Sequence, residues 1–297
     1  MTASLGLGTY RVRAVEQAAR TACADGHVWI DTAPNYGSAH QALGPVIADH
    51  PRAMVATKTG FFTPDEGAAA LRAGLLAAAQ VRAGHSLEPG FVRWQTERSL
   101  AALGRIDLVF VHNPEHAGLH TTELHPALRD VFAVLEEFAA AGRIGGYGVA
   151  TWSGFQHDAF SVSELLGLAI EAAGSSEHHL RAVQQPVSLV MARPIALALD
   201  GRGPLVLARA AGLITFGSSP LHGGELPGLV TPELAEFIRP GASPGTACLL
   251  AAASCPSLDV VLLSAGTAHH RAAAKATTAA PLDPGQLRKV TDVLAQG

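Results

Sequence analysis

Short β-branched or apolar runs alternate with longer Ala/Leu-rich segments from one end of the chain to the other. The runs near residues 4–9, 27–31, 53–58, 106–112, 144–150, 181–185, 213–217 and 258–264 read as strands. Several, such as Leu108-Val109-Phe110-Val111 and Val260-Val261-Leu262-Leu263, are apolar without alternation. A strand covered on both faces looks like that, which predicts a parallel sheet. The intervening pattern predicts helices over 13–24, 91–103, 123–141, 161–173 and 194–211, with Gly142 and Gly212 placed to end two of them. Eight strands alternating with helices over ~250–300 residues predict an α/β fold, the (β/α)8 TIM barrel. An open doubly wound sheet is the competing arrangement.

No linker, repeat or low-complexity tract divides the chain, so residues 1–297 read as a single barrel domain. The connection over 60–90 is the one long ambiguous segment, either a substrate lid or an extra helix through 67–82. Composition narrows the class. Charged residues make up 15% of the 297 positions, well under the roughly 25% of an ordinary soluble chain, and 48% are hydrophobic. A disordered protein is excluded. A net charge of −4 gives no basic face for nucleic acid. Cys23, Cys248 and Cys255 form no C-x-x-C pair and read as reduced thiols. The uncharged stretch 240–258 is broken by Pro240, Pro244 and Pro256, which predicts no membrane span. A cytoplasmic location is the expectation, while the oligomeric state is not encoded legibly.

Polar residues gather at the predicted carboxyl ends of strands, where a parallel barrel carries its catalytic groups. Strand two closes with Asp31-Thr32-Ala33-Pro34-Asn35-Tyr36-Gly37, strand three with Thr57-Lys58, and strand four with His112-Asn113-Pro114. The chain has only three lysines and three tyrosines, so one of each in this mouth is a pointed placement. A carbonyl undergoing reduction needs a proton donor for its oxygen. Tyrosine, with a pKa near 10, is a poor donor unless an ammonium stabilises its phenolate. A carboxylate beside the lysine compensates its charge, and a histidine can hold the same oxygen. The alternative is an Asp31–Lys58 ion pair that merely braces the barrel mouth.

These elements, in this order, resemble the aldo-keto reductase superfamily, whose catalytic tetrad of Asp, Tyr, Lys and His is matched at Asp31, Tyr36, Lys58 and His112. Leu5-Gly6-Leu7-Gly8-Thr9 resembles the family's first strand, which places Gly8 and Thr9 beside the cofactor. The resemblance runs on through Gly148-Val149, Gln184 and Ser219-Pro220-Leu221 to Gly266 and Arg271. It implies a (β/α)8 barrel and NAD(P)H-dependent reduction of a small aldehyde or ketone, with NADPH preferred and NADH the alternative. Gln184 matches the glutamine that binds the nicotinamide carboxamide. Ala150 and Thr151 stand where the family has a Ser-Asn pair, leaving Thr151 as the side chain available there. The aromatic that stacks on nicotinamide falls at Ser218, with Phe216 as the candidate if the register differs by two. Ser219 and Leu221 follow as cofactor contacts. Gly266 and Arg271 resemble the adenosine-phosphate segment, where Arg271 would grip a 2′-phosphate; Ala265 replaces a lysine common in relatives.

Tyr36, His112 and Trp152 are the expected substrate contacts. Among 14 histidines, His112, His116 and His120 are spaced by four, but Pro114 and Gly118 interrupt any helix there, so no metal site is expected. Two readings compete with a carbonyl reductase: a pathway-specific dehydrogenase acting on a sugar, lactol or imine, and a cofactor-binding regulatory protein of the same fold.

Overall fold

A computed structural model of the chain describes residues 2–26, 28–266 and 280–295. Its strands are β1 Ser4–Gly8, β2 Trp29–Asp31, β3 Met54–Thr59, β4 Leu108–His112, β5 Tyr147–Ala150, β6 Leu180–Pro186, β7 Ile214–Ser218 and β8 Val260–Leu263. They follow one another in chain order around a closed barrel. The (β/α)8 barrel is the fold, and the open sheet is excluded. All eight strands fall where the apolar runs predict them, and β5 and β8 are buried at every position, as double-sided cover requires.

Two compact units make up the chain: residues 31–183, and residues 1–30 with the chain from 184 onward. In the first, β3, β4 and β5 pair in parallel, with Lys58 beside Phe110 and His112 beside Ala150. Helices Ala39–Asp49, Pro89–Leu103, Thr121–Ala140 and Val162–Ala173 belong to it. Glycine is needed at two close approaches. A Cβ at Gly44 would lie 2.6 Å from the Ala102 carbonyl oxygen of the neighbouring helix, and one at Gly148 would lie 2.4 Å from the Ala182 carbonyl oxygen. In the second unit β1 and β7 flank β8 in parallel. Its core gathers Leu5, Val187, Ile195, Leu250, Val261 and Leu287 among others.

Three expectations are refined. The helix predicted over 194–211 is two, Arg193–Leu199 and Pro204–Ala210, because Gly201 and Gly203 take positive φ between them. The connection over 60–90 holds two short helices, Pro64–Arg72 and Ala78–Ala83, rather than one. A capping box starts the first: Thr63 Oγ1 accepts from the Glu66 N–H, and Glu66 Oε2 accepts from the Thr63 N–H. Phe62, Ala70, Leu76 and Phe91 give this segment a small core of its own, against which Trp94 packs. Helices Ala39–Asp49, Pro232–Ile238, Pro244–Ala253 and Pro284–Ala295 were not anticipated.

Candidate active site

Strand alternation assembles the tetrad within residues 31–183. Side chains two apart share a face of a strand. Lys58 and Phe110 are register partners, so Lys58 and His112 emerge on the same side of the sheet. Asp31 ends β2, and Tyr36 lies in the turn that follows, its N–H bonded to the Ala33 carbonyl. The Lys58 ammonium donates to Asp31 Oδ2 at 2.5 Å and to the Thr32 carbonyl at 3.0 Å. Its Nζ lies 5.1 Å from the centroid of the Tyr36 ring. The Tyr36 and His112 rings meet edge-on, with centroids 6.2 Å apart. All four predicted catalytic residues are thus brought together.

The electrostatics of this cluster follow from burial. Lys58 is 2% exposed and Asp31 5%. Burial lowers the lysine's pKa, and Asp31 opposes that by Coulomb attraction and by its hydrogen bond. Burial is also the main cause that holds His112 well below the ordinary imidazole range, with Lys58, His85 and His116 adding repulsion. At neutral pH His112 is therefore a neutral ring with one N–H and one lone pair. Its Nδ1 is buried without a hydrogen-bond partner.

Sequence reasoning missed the groups that hold this cluster in place. His85 Nε2 lies 2.8 Å from the His112 carbonyl oxygen, an acceptor only, so the neutral ring carries its proton on Nε2. Burial pushes His85 down to about 4. Phe61 packs its edge on His85, His112 and His116, at centroid distances of 4.5, 5.0 and 6.1 Å. Gln95, fully buried in helix Pro89–Leu103, accepts from Thr59 Oγ1 and the Gly60 N–H and donates to the Phe61 carbonyl, each at 2.9 Å. Glu115, three residues past His112, accepts from Thr151 Oγ1 and from the Trp152 and Ser153 N–H groups. These contacts span 27 to 38 residues or more, and no local motif announces them.

The residues expected to meet a cofactor are placed as follows. Thr151, buried, gives its hydroxyl proton to Glu115, and Trp152 beside it is exposed. Gly8 and Thr9 are buried at the end of β1; a Cβ at Gly8 would lie 2.6 Å from Ser264 Oγ. Phe216 is fully buried, with its ring edge-on to Trp29 at 5.0 Å. Ser218, half-buried, ends β7, and Ser219 follows in the left-handed region at φ 52°. Leu221 is half-buried and Gly266 exposed, while Arg271 lies outside the described residues. At the end of β6, Gln184 and Gln185 are each 5% exposed, and Gln185 Nε2 has no hydrogen-bond partner. A buried amide donor left open is costly, about 1–3 kcal/mol, unless something pairs with it. Successive side chains of a strand face opposite ways, so Gln184 and Gln185 project to different sides of β6.

The histidine series does not share one helix. His112 ends β4, His116 sits in the 3-10 turn Pro114–Ala117, and His120 precedes helix Thr121–Ala140. Among the described residues no three His, Cys, Asp or Glu side chains are placed to hold a metal ion. No described helix is long and apolar enough to cross a membrane.

Comparison with known proteins places this geometry. The fold is similar to an aldo-keto reductase from Bacillus halodurans in its holo form, with a TM-score of 0.70 and 17% identity over 97% of this chain and 92% of that one. A glycerol dehydrogenase from Gluconobacter oxydans gives 0.69 and 18%, over 98% and 91%. An aldo-keto reductase from Klebsiella pneumoniae, solved with NADPH, gives 0.67 and 16%, over 99% and 95%. No curated protein matches the chain. The model of the Aldo/keto reductase family matches residues 2–237, the span that carries all four tetrad positions, and the chain belongs to that family of NAD(P)H-dependent oxidoreductases.

Proposed function

We propose that the protein reduces a small aldehyde or ketone to an alcohol with NADPH, Tyr36 acting as the general acid. The observation that carries this is the buried Asp31–Lys58 pair set 5.1 Å from the Tyr36 ring. A structural ion pair has no need of a tyrosine and a neutral histidine at its side.

When bound, the cofactor supplies the hydride that reaches the carbonyl carbon. Gln184 would hold the carboxamide, and Gly8, Ser219 and Gly266 are further positions toward the cofactor on the family resemblance. Arg271 is the residue for a 2′-phosphate. The rest belongs to the tetrad. Tyr36 Oη donates its proton to the carbonyl oxygen and becomes a phenolate. Lys58 stabilises that phenolate through its ammonium, and Asp31 keeps the ammonium charged despite its burial. His112 stays neutral and donates from Nε2 to the same oxygen, which fixes the carbonyl's orientation.

Loss of reduced-nicotinamide absorbance with an activated aromatic aldehyde tests the activity. Tyr36→Phe is expected to lower kcat by about 10²–10⁴-fold while NADPH still binds in a fluorescence titration. Wild-type turnover in the purified, folded variant would remove Tyr36 from the role. Binding of NADPH by the wild type with no turnover of any carbonyl would favour a regulatory protein instead.

A further inference from the structure

We propose that Glu115 is a positioning residue whose carboxylate locks the turn after β5 onto the loop carrying His112, taking the Thr151 hydroxyl into that lock. One oxygen, Oε1, accepts three hydrogen bonds: from Thr151 Oγ1 at 2.7 Å, the Trp152 N–H at 2.8 Å and the Ser153 N–H at 2.9 Å. Thr151 Oγ1 in turn accepts from the Gly154 N–H at 2.7 Å. Four consecutive residues are thereby tied, directly or through one hydroxyl, to a single carboxylate. Two successive backbone N–H groups converging on one anion form a rigid concavity of the kind that binds anions strongly.

The clamp accounts for a sequence oddity. Ala150 and Thr151 stand where the family resemblance has a Ser-Asn pair, so Ala150 brings no polar side chain to this strand end and Thr151 brings a single hydroxyl. A hydroxyl has one proton to give. Thr151 gives its proton to Glu115, which makes it part of the lock. The backbone N–H of Asn113 donates to the Ala150 carbonyl at 2.6 Å, so the two loops are joined on both sides of Pro114. Glu115 stands three residues from His112 in this short, braced segment. Releasing it lets the His112 ring drift relative to Tyr36. A misplacement of about 1 Å at a reacting group can cost on the order of 10²-fold in rate.

This inference rests on the proposed function only for its kinetic readout, and a second readout is independent of it. Hydrogen exchange of the free protein, without cofactor, reports the Trp152 and Ser153 amides directly. Glu115→Ala is expected to speed their exchange by roughly tenfold or more while the amides of helix Val162–Ala173 stay unchanged. Its kcat should fall by about tenfold or more with little change in KM. Glu115→Gln retains a carbonyl oxygen for the turn and should stay within about threefold of wild type. Should the alanine variant not fold, Glu115→Asp, which keeps the charge but shortens the reach, should show the faster exchange in milder form. In NADP⁺ titrations, Thr151→Val combined with Glu115→Ala should bind no more weakly than Glu115→Ala alone, since both break one lock. Additive losses of affinity would give the hydroxyl its own ligand contact and overturn its place in the clamp. Unchanged exchange at Trp152 and Ser153 in a folded Glu115 variant overturns the clamp itself. Wild-type protein without carbonyl turnover, whatever the exchange rates, overturns the proposed function instead.

Discussion

Lys58 is buried to 2% exposure, where an ammonium is expensive to keep, and the Asp31 carboxylate at 2.5 Å is what keeps it charged. The charge matters to Tyr36. In the proposed mechanism, running the reaction backwards, as alcohol oxidation, requires the phenolate, and the ammonium lowers the pH at which it forms. In Lys58→Met the phenolate loses that neighbour, its pKa rises, and the rising limb of the oxidation pH–rate profile should move to higher pH. Groups that act as a unit lose their effect once. A Tyr36→Phe/Lys58→Met double variant should therefore be little slower than the worse single one. Multiplicative losses, or a profile left in place, would show that Lys58 acts apart from Tyr36.

At the scale of the element, Gln95 shows how a helix fixes a strand end. From helix Pro89–Leu103 it satisfies Thr59 Oγ1, the Gly60 N–H and the Phe61 carbonyl, the three residues after Lys58. Gly60 must be glycine at this corner: its φ is 120°, and a Cβ would lie 2.7 Å from His85 Nε2. Gln95→Leu takes this partner from two donors, the Thr59 hydroxyl and the Gly60 N–H, and one acceptor, the Phe61 carbonyl, at about 1–3 kcal/mol for each group left unpaired. The expected loss in urea unfolding is about 2–5 kcal/mol, against less than about 1 for an exposed neighbour such as Glu97→Gln. Equal losses would mean that water replaces the amide there. These same elements mark what the sequence disclosed. The strands were legible because both-sided burial writes itself as apolar runs, and the tetrad because each member sits in a strand-end motif. Helix Ala39–Asp49 was hidden by Gly44-Pro45, which reads as a breaker but serves a close approach to Ala102. Helix Pro244–Ala253 is buried on nearly every face, so it has no amphipathic period to find. His85, Gln95 and Glu115 were invisible because each acts on residues that only the closed sheet brings near.

Across the whole molecule, acid should loosen residues 31–183 through their buried histidines. Burial holds His40 and His85 at about 4, with Lys58 adding repulsion at His40, and it holds His112 well below its usual range. All three stay neutral in the folded chain while the unfolded chain titrates them near pH 6.5. Between pH 6.5 and 4 the unfolded state therefore binds more protons, so stability falls as pH falls through this window and is fully present above it. For His40 and His85, a fall from 6.5 to about 4 corresponds to about 3 kcal/mol apiece, large against a total of about 5–15. Every proton of difference contributes about 1.4 kcal/mol per pH unit to the slope. Urea unfolding at steps from pH 7 to pH 4.5 should show a slope of about two to three protons. His40→Gln is the clean probe, because its amide can still pair with Thr57 Oγ1, the partner that His40 Nε2 meets at 2.9 Å. It should remove about one proton from the slope and leave stability at pH 5 closer to that at pH 7. A variant with the wild-type slope would show that His40 takes up its proton without unfolding, and that the acid sensitivity of this half of the chain arises elsewhere.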